Sequence, residues 1–399
     1  MNRAQVVKES QKWVEEQIIS EHQREQLIER YPKRQNKPLL FTFAAIFIGL
    51  GFLTFIASNW SFMPDLVKMA IILVSMLGFY AAGEQVYRKQ SQRLGLSFIL
   101  IALLIFGSGI FLTGQMYHFT SYSAFPFLIW SLAGYGIYLV FRDHILFITT
   151  VILLTIGQIY SGVVFQEYHF WLGLLFILGI GWVVYSKKDL WLTLVFGISY
   201  SIQSLVFVLN ENLQYYWLIV LFLILYLLDD LLADRGQIRV LKTMAVVSVL
   251  IVNGFQVILL GVDELFLEAE STFAFFIIWA VLFVLTVIRS ALSSTNHYWI
   301  DLILFVPVFK FGFGDALSLL ILFAYSLLWL VSGYQTETVR WVNKGTAAFI
   351  LTTFLAYFQL AWDFMNRSLF FFIGGILLFM MSFFLERKRR QIHKGGGES

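Results

Sequence analysis

The feature that most restricts this chain is a succession of long apolar runs that are almost free of charge. A helix needs about 20 apolar residues to cross a hydrocarbon core about 30 Å thick. Fourteen such runs follow one another, at roughly 38–58, 64–83, 94–113, 123–141, 145–164, 169–186, 189–209, 215–232, 240–261, 271–288, 298–314, 316–334, 341–361 and 368–385. They are continuous rather than alternating, which favours helices over a β-barrel. Of 399 residues 59% are hydrophobic and 13% are charged, and mean hydropathy is +0.76. Soluble domains carry about 25% charged residues. That rules out a soluble enzyme, a secreted domain and a disordered regulator. The expected fold is an all-α polytopic transmembrane bundle of about fourteen spans.

Charge placement tests the count. Of the charged residues, 21 fall in 1–37 and 386–399. If the N-terminus is cytoplasmic and the spans alternate, 25 Lys/Arg face inward and only Lys68, Lys310 and Arg367 face outward. The positive-inside rule demands such a split, and it puts both termini in the cytoplasm. Trp60, Trp171, Trp191, Trp217, Trp299, Trp341 and Trp362 fall near span ends, as an interfacial belt would. The expected organisation is a cytoplasmic helical hairpin at 1–37, a transmembrane bundle at 38–385 and a basic cytoplasmic tail at 386–399. In the hairpin, Ser20 with Gln23 reads as a capping box opening the second helix, which Pro32 stops. So short a hairpin must pack on the membrane domain or on a cytoplasmic protein partner. The charged start carries no signal-peptide pattern, so no processing is expected.

Two local irregularities stand out. Arg142-Asp143-His144 and Lys187-Lys188-Asp189 are polar breaks short enough to predict tight antiparallel turns. The run 298–314 holds Asp301, Pro307, Lys310, Gly312 and Gly314. A tilted helix kinked at Pro307 with Lys310 snorkelling outward is the favoured expectation; a broken or re-entrant helix is the alternative.

Chemical motifs are sparse. The chain has no cysteine, which excludes disulfides, thiolate catalysis and cysteine metal sites. Neither a Gly-x-x-x-x-Gly-Lys-[Ser/Thr] loop, a Gly-x-Ser-x-Gly elbow nor a His-Glu-x-x-His helix occurs. The six histidines lack metal-binding spacing, no cofactor is indicated, and no basic stripe fits nucleic acid. What remains are polar residues at membrane depth, where burial is costly. Gln158, Gln203, Asn253 and Gln256 read first as interhelical hydrogen bonds. Asp229-Asp230 reads as a solvated helix end that Arg235 or Arg239 neutralises, and Asp363 with Arg367 as a surface ion pair. The candidate substrate-binding group lies at the outer ends of the first three spans: Asn59, Trp60, Lys68, Gln115, Tyr117 and His118. The expectation is a polar pocket, or a network that ties the three helices together.

Several of these residues form a recognisable series. Trp13…Ser20-x-x-Gln23…Leu27…Tyr31, Gly49-Leu-Gly51…Ala57-Ser-Asn59-Trp60 and Gly109…Gly114-Gln115-Met-Tyr117-His118 resemble a family of bacterial multi-pass membrane proteins, domain of unknown function 2157. The resemblance covers about residues 5–140. The stretch from Asn343-Lys-Gly345 to Glu386-Arg-Lys-Arg-Arg390 looks like the end common to this and related families. The resemblance implies a bacterial plasma-membrane location and carries no reaction with it. Three functions fit: a transporter or permease for a small or amphiphilic substrate, a non-catalytic scaffold or sensor acting through the hairpin, and a membrane enzyme working on a lipid-linked substrate.

Overall fold

The computed structural model describes residues 3–29, 58, 62–232, 239–259, 273–292, 299–309 and 313–361, with short pieces between 372 and 383. Contacts divide the chain into two compact units, Met1–Ile71 and Ile72–Ser399.

The first unit holds α1 (Arg3–Glu15) and α2 (Glu21–Glu29). Gln17 adopts the left-handed conformation (φ 56°), and the Ile18 amide donates back to the Trp13 carbonyl at 2.8 Å, which closes α1. The capping box forms as expected. Gln23 N–H donates to Ser20 Oγ at 3.3 Å, and Ser20 N–H donates to Gln23 Oε1 at 2.9 Å.

The longer helices follow: α3 (Asp65–Lys89), α4 (Gln92–Met116), α5 (Phe125–Phe141), α6 (His144–Tyr160, continued by a π-helical turn Ser161–Phe165), α7 (Phe170–Lys187, with a π-helical turn at Leu175–Ile180) and α8 (Leu190–Asn210). Next come α9 (Trp217–Leu232), α10 (Val240–Leu259), α11 (Phe273–Leu292), the single turn α12 (Trp299–Leu302), α13 (Gly314–Gln335) and α14 (Val339–Ala361). Among the described residues, eight helices are long and apolar enough to cross a membrane: α3, α4, α6, α7, α8, α10, α11 and α13. Of the other expected spans, α5 and α9 are apolar but only 17 and 16 residues long, and α14 carries Arg340 and Lys344 in its first turns. The runs 38–58 and 368–385 lie wholly or largely outside the described residues.

Lipid hydrates nothing, so burial inside the bundle marks which helices are central. The apolar window of α10 is 56% buried, against 6% for α3 and 11% for α11. Around α10 sit α8, α9, α13 and α14, joined by small polar side chains. Thr155 and Ser199 hydroxyls meet at 2.6 Å between α6 and α8, Ser201 and Ser248 at 2.9 Å between α8 and α10, and Ser318 donates to Gln256 Oε1 at 3.3 Å between α13 and α10. Such bonds are favoured where water cannot compete for either partner.

Both expected tight turns are present. Arg142 and Lys188 take left-handed backbone (φ 52° and 49°), and the next residue, Asp143 or Asp189, caps the following helix through its carboxylate. His144 Nε2 lies 3.1 Å from Asp189 Oδ2, so the two turns are tied at one end of the bundle. The opposite end of α7 has a different cap, in which His169 Nδ1 accepts the Leu172 amide at 3.4 Å. That cap requires an unprotonated Nδ1. Burial pushes the His169 pKa down, and the opposing effects of Glu167 and its own backbone do not restore it. The unfolded chain therefore binds the proton more readily, and stability falls as pH drops through the ordinary histidine value of about 6.5. His169→Asn, which caps without titrating, is expected to flatten the unfolding profile between about pH 7 and 5. Thermal unfolding across that range reads the difference, and an unchanged slope in the variant refutes it.

Candidate functional site

The expected helix at 298–314 is broken. Trp299–Leu302 forms one α-turn, Ile303–Phe305 tightens into a 3₁₀ turn, and Val306 leaves the helix at φ −75°, ψ 125°. The cause is local: the ring of Pro307 forces the residue before it into extended backbone, and Pro307 has no amide to donate. The broken alternative, rather than the kinked continuous helix, is what forms; Lys310 and Gly312 lie outside the described residues.

A broken helix leaves carbonyls without donors. Two neighbouring helices supply them. Asn253 Nδ2 on α10 donates to the Leu304 carbonyl at 2.9 Å, and Trp279 Nε1 on α11 donates to the Phe305 carbonyl at 2.8 Å. Asn253, one of the mid-membrane amides singled out in the sequence, is thus an interhelical clamp on the break.

One turn earlier sits a buried carboxylate. The Asp301 side chain is 3% exposed; its Oδ1 accepts from Lys344 Nζ on α14 at 2.7 Å and from Trp329 Nε1 on α13 at 3.1 Å. The ammonium also stands 3.9 Å from the centre of the Trp329 ring. Lys344 keeps 35% of its side chain exposed, so the pair reaches from the interior to a boundary. The approach of α14 depends on Gly345: a Cβ there would stand 2.6 Å from the Leu330 backbone nitrogen and 3.0 Å from the Ser326 carbonyl.

A second charged cluster adjoins the break. Asp229 Oδ1 accepts the Leu241 amide at 2.9 Å, and Asp230 Oδ1 meets Lys242 Nζ at 2.6 Å and an Arg239 guanidinium nitrogen at 3.2 Å. Lys242 lies over the Tyr226 ring, and Tyr226 packs edge-on against Phe305. The expected solvated helix end is corrected here, since Asp229 is buried and serves as a cap for α10. Both carboxylates sit near the end of α9 against the start of α10, where the Leu241 amide and two cations replace water. Arg239 is a partner, as expected, and Lys242 is an additional one; Arg235 lies outside the described residues.

The outer-end group is less assembled. Asn59 and Trp60 lie outside the described residues, as do Asp363 and Arg367. Lys68 pairs with Asp65 one turn back at 3.0 Å in the first unit. Gln115, Tyr117 and His118 are exposed at the end of α4 in the second. There His118 is left-handed (φ 53°), its amide donates to the Gln115 carbonyl at 3.3 Å, and the Phe119 amide donates to the Gly114 carbonyl at 2.8 Å. Gly-Gln-x-Tyr-His is in backbone terms a helix stop of the Schellman kind.

This stop lies in the segment that a family comparison covers. Residues 11–147 match the family described as predicted membrane protein (DUF2157). The match runs from α1 into the first turn of α6 and leaves out the broken helix, Asp301 and Lys344. No curated protein matches the chain, and no solved structure does.

Proposed function

We propose that the protein is a transporter or permease for a small or amphiphilic substrate, with segment 299–309 as its working element. The observation that carries this reading is the broken helix, whose carbonyls are held by side chains of neighbouring helices and whose buried carboxylate, with them, faces four packed helices. Discontinuous helices with exposed backbone dipoles are how transporters build sites at membrane depth. A carboxylate held by a half-exposed lysine fits a substrate with a cationic or hydrogen-bond-donating group, which exchanges with Lys344 for Asp301. The location we propose is the bacterial plasma membrane with both termini cytoplasmic, on the charge distribution. Asn59, Trp60 and Lys68 in the first unit, and Gln115, Tyr117 and His118 in the second, remain our proposed recognition residues on the outer side.

The chain's lack of cysteine makes the test direct. Val308 and Val249 are both fully buried, the first beside the break and the second on α10. In proteoliposomes, Val308→Cys is expected to react with a membrane-impermeant maleimide, and Val249→Cys is not. Silence at both positions from both sides would make the segment static. The scaffold reading, in which α1 and α2 recruit a cytoplasmic partner, would then replace transport.

A further inference from the structure

A second site lies away from the break. Between α7, α8 and α9 runs a groove of about 570 Å3, within the range of about 300–1,000 Å3 typical of small-molecule sites. Tyr168 lines it together with Gly173. The Tyr168 hydroxyl would lie 2.3 Å from a Cβ at that position, so any side chain there would displace the ring that walls the groove. The π-helical turn of α7 supplies Phe176, Ile177 and Leu178, and π-turns recur where helices are reshaped for function. Ile177 and Leu178 are exposed, as is Phe170, so this wall opens sideways onto what surrounds the bundle, which for an apolar helix is lipid.

The floor is different. Gln203 on α8 lines the groove while only 3% exposed. Its Nε2 donates to Ser199 Oγ at 3.1 Å, and its Oε1 is buried without a hydrogen-bond partner among the described residues. A buried carbonyl oxygen without a donor is costly, more so in a bilayer than in water. Glu211 also lines the groove, eight residues on from Gln203 and just past the end of α8, so about 12 Å away along the helix axis. The wall at Phe176–Leu178 is apolar and opens outward, while Gln203 on the floor, beside Ser204 and Tyr200, keeps a buried acceptor just beneath the surface of the groove.

We propose that this groove binds a membrane amphiphile that carries a hydrogen-bond donor, with its apolar chain along Phe176–Leu178 and its hydroxyl or amide N–H on Gln203 Oε1. The site is separate from the broken helix and stands or falls independently of transport.

The test uses the full chain in phosphatidylglycerol nanodiscs with two photoreactive probes, a long-chain diazirine alcohol and the matching diazirine alkane. The alcohol is expected to label peptides spanning 170–178 and 200–207 above all others, and to exceed the alkane there by about three- to fivefold, the factor one hydrogen bond gives. Gln203→Leu should remove that excess. Gln158→Leu, a change at an equally buried amide outside the groove, should leave it intact. Equal labelling by alcohol and alkane in the unmodified protein overturns the proposal, as does labelling spread evenly onto lipid-facing α11. That comparison needs no variant, so a Gln203→Leu chain that fails to fold does not rescue the idea.

Discussion

Asp301→Ala is expected to cost the folded protein about 3 kcal/mol, the lower end of the range for removing one partner of a buried ion pair. The lower end applies because Lys344 retains 35% exposure and regains some solvation when its anion is lost. The loss has two sources: the Lys344 ammonium and the Trp329 indole both lose the oxygen they share. Asp301→Leu with Lys344→Met removes both charges and is expected to restore most of the stability, since apolar replacements of buried pairs are often neutral. Unfolding in mixed detergent–SDS micelles measures all three chains. Should the double variant prove no more stable than Asp301→Ala, the stranded-charge account is wrong. The double variant also separates stability from activity: it is expected to fold without supporting the Val308 reactivity described above.

Gly345→Leu is expected to be at least as damaging. Overpacking a core ordinarily costs about 1–3 kcal/mol because side chains shift to make room. Here the opposing atoms are the Leu330 nitrogen and the Ser326 carbonyl, which move only if α13 and α14 separate along their length. Small residues permit such close approach in membranes, where dispersion and polar contacts hold helices together. Separation would also withdraw Lys344 from Asp301, so the Gly345 and Asp301 changes should be less than additive when combined. Gly136→Leu is the control, because a side chain at Gly136 enters open space. The measurement is folded yield and SDS resistance; equal losses at the two glycines would dismiss the close-packing argument.

The sequence made local features legible and left long-range ones hidden. Ser20 and Gln23 announced a capping box because both partners lie within one turn. Pro307 announced an irregularity because its ring acts on its immediate neighbour, but a kink was the favoured reading and a break is what forms. Arg142-Asp143-His144 marked a turn because a left-handed residue followed by a capping aspartate is a short pattern. The Asp301–Lys344 pair joins residues 43 apart, and nothing in periodicity says which cation a buried carboxylate meets. Lys344 looked like one more inward-facing charge. Asp229 looked solvated because its neighbours in sequence are charged, while the fold turns it toward α10. The π-helical turns gave no signal, since widening a turn by one residue leaves the apolar composition unchanged.

The unequal helix lengths bear on the bilayer itself. At about 1.5 Å per residue, α3 extends about 38 Å and α5 only about 26 Å, while the hydrocarbon core measures about 30 Å. α9 is short too, but its flanks are largely buried among other helices. α5 turns Ile129, Leu132, Leu139 and Val140 outward, so lipid must match its length. For a crossing helix of that length, thinning of the bilayer would relieve the mismatch, each ångström costing a fraction of a kcal/mol. With α5 as the crossing we propose, the leaflets beside it would dimple, and the fit of the protein to a membrane would depend on acyl-chain length as well as on headgroup charge.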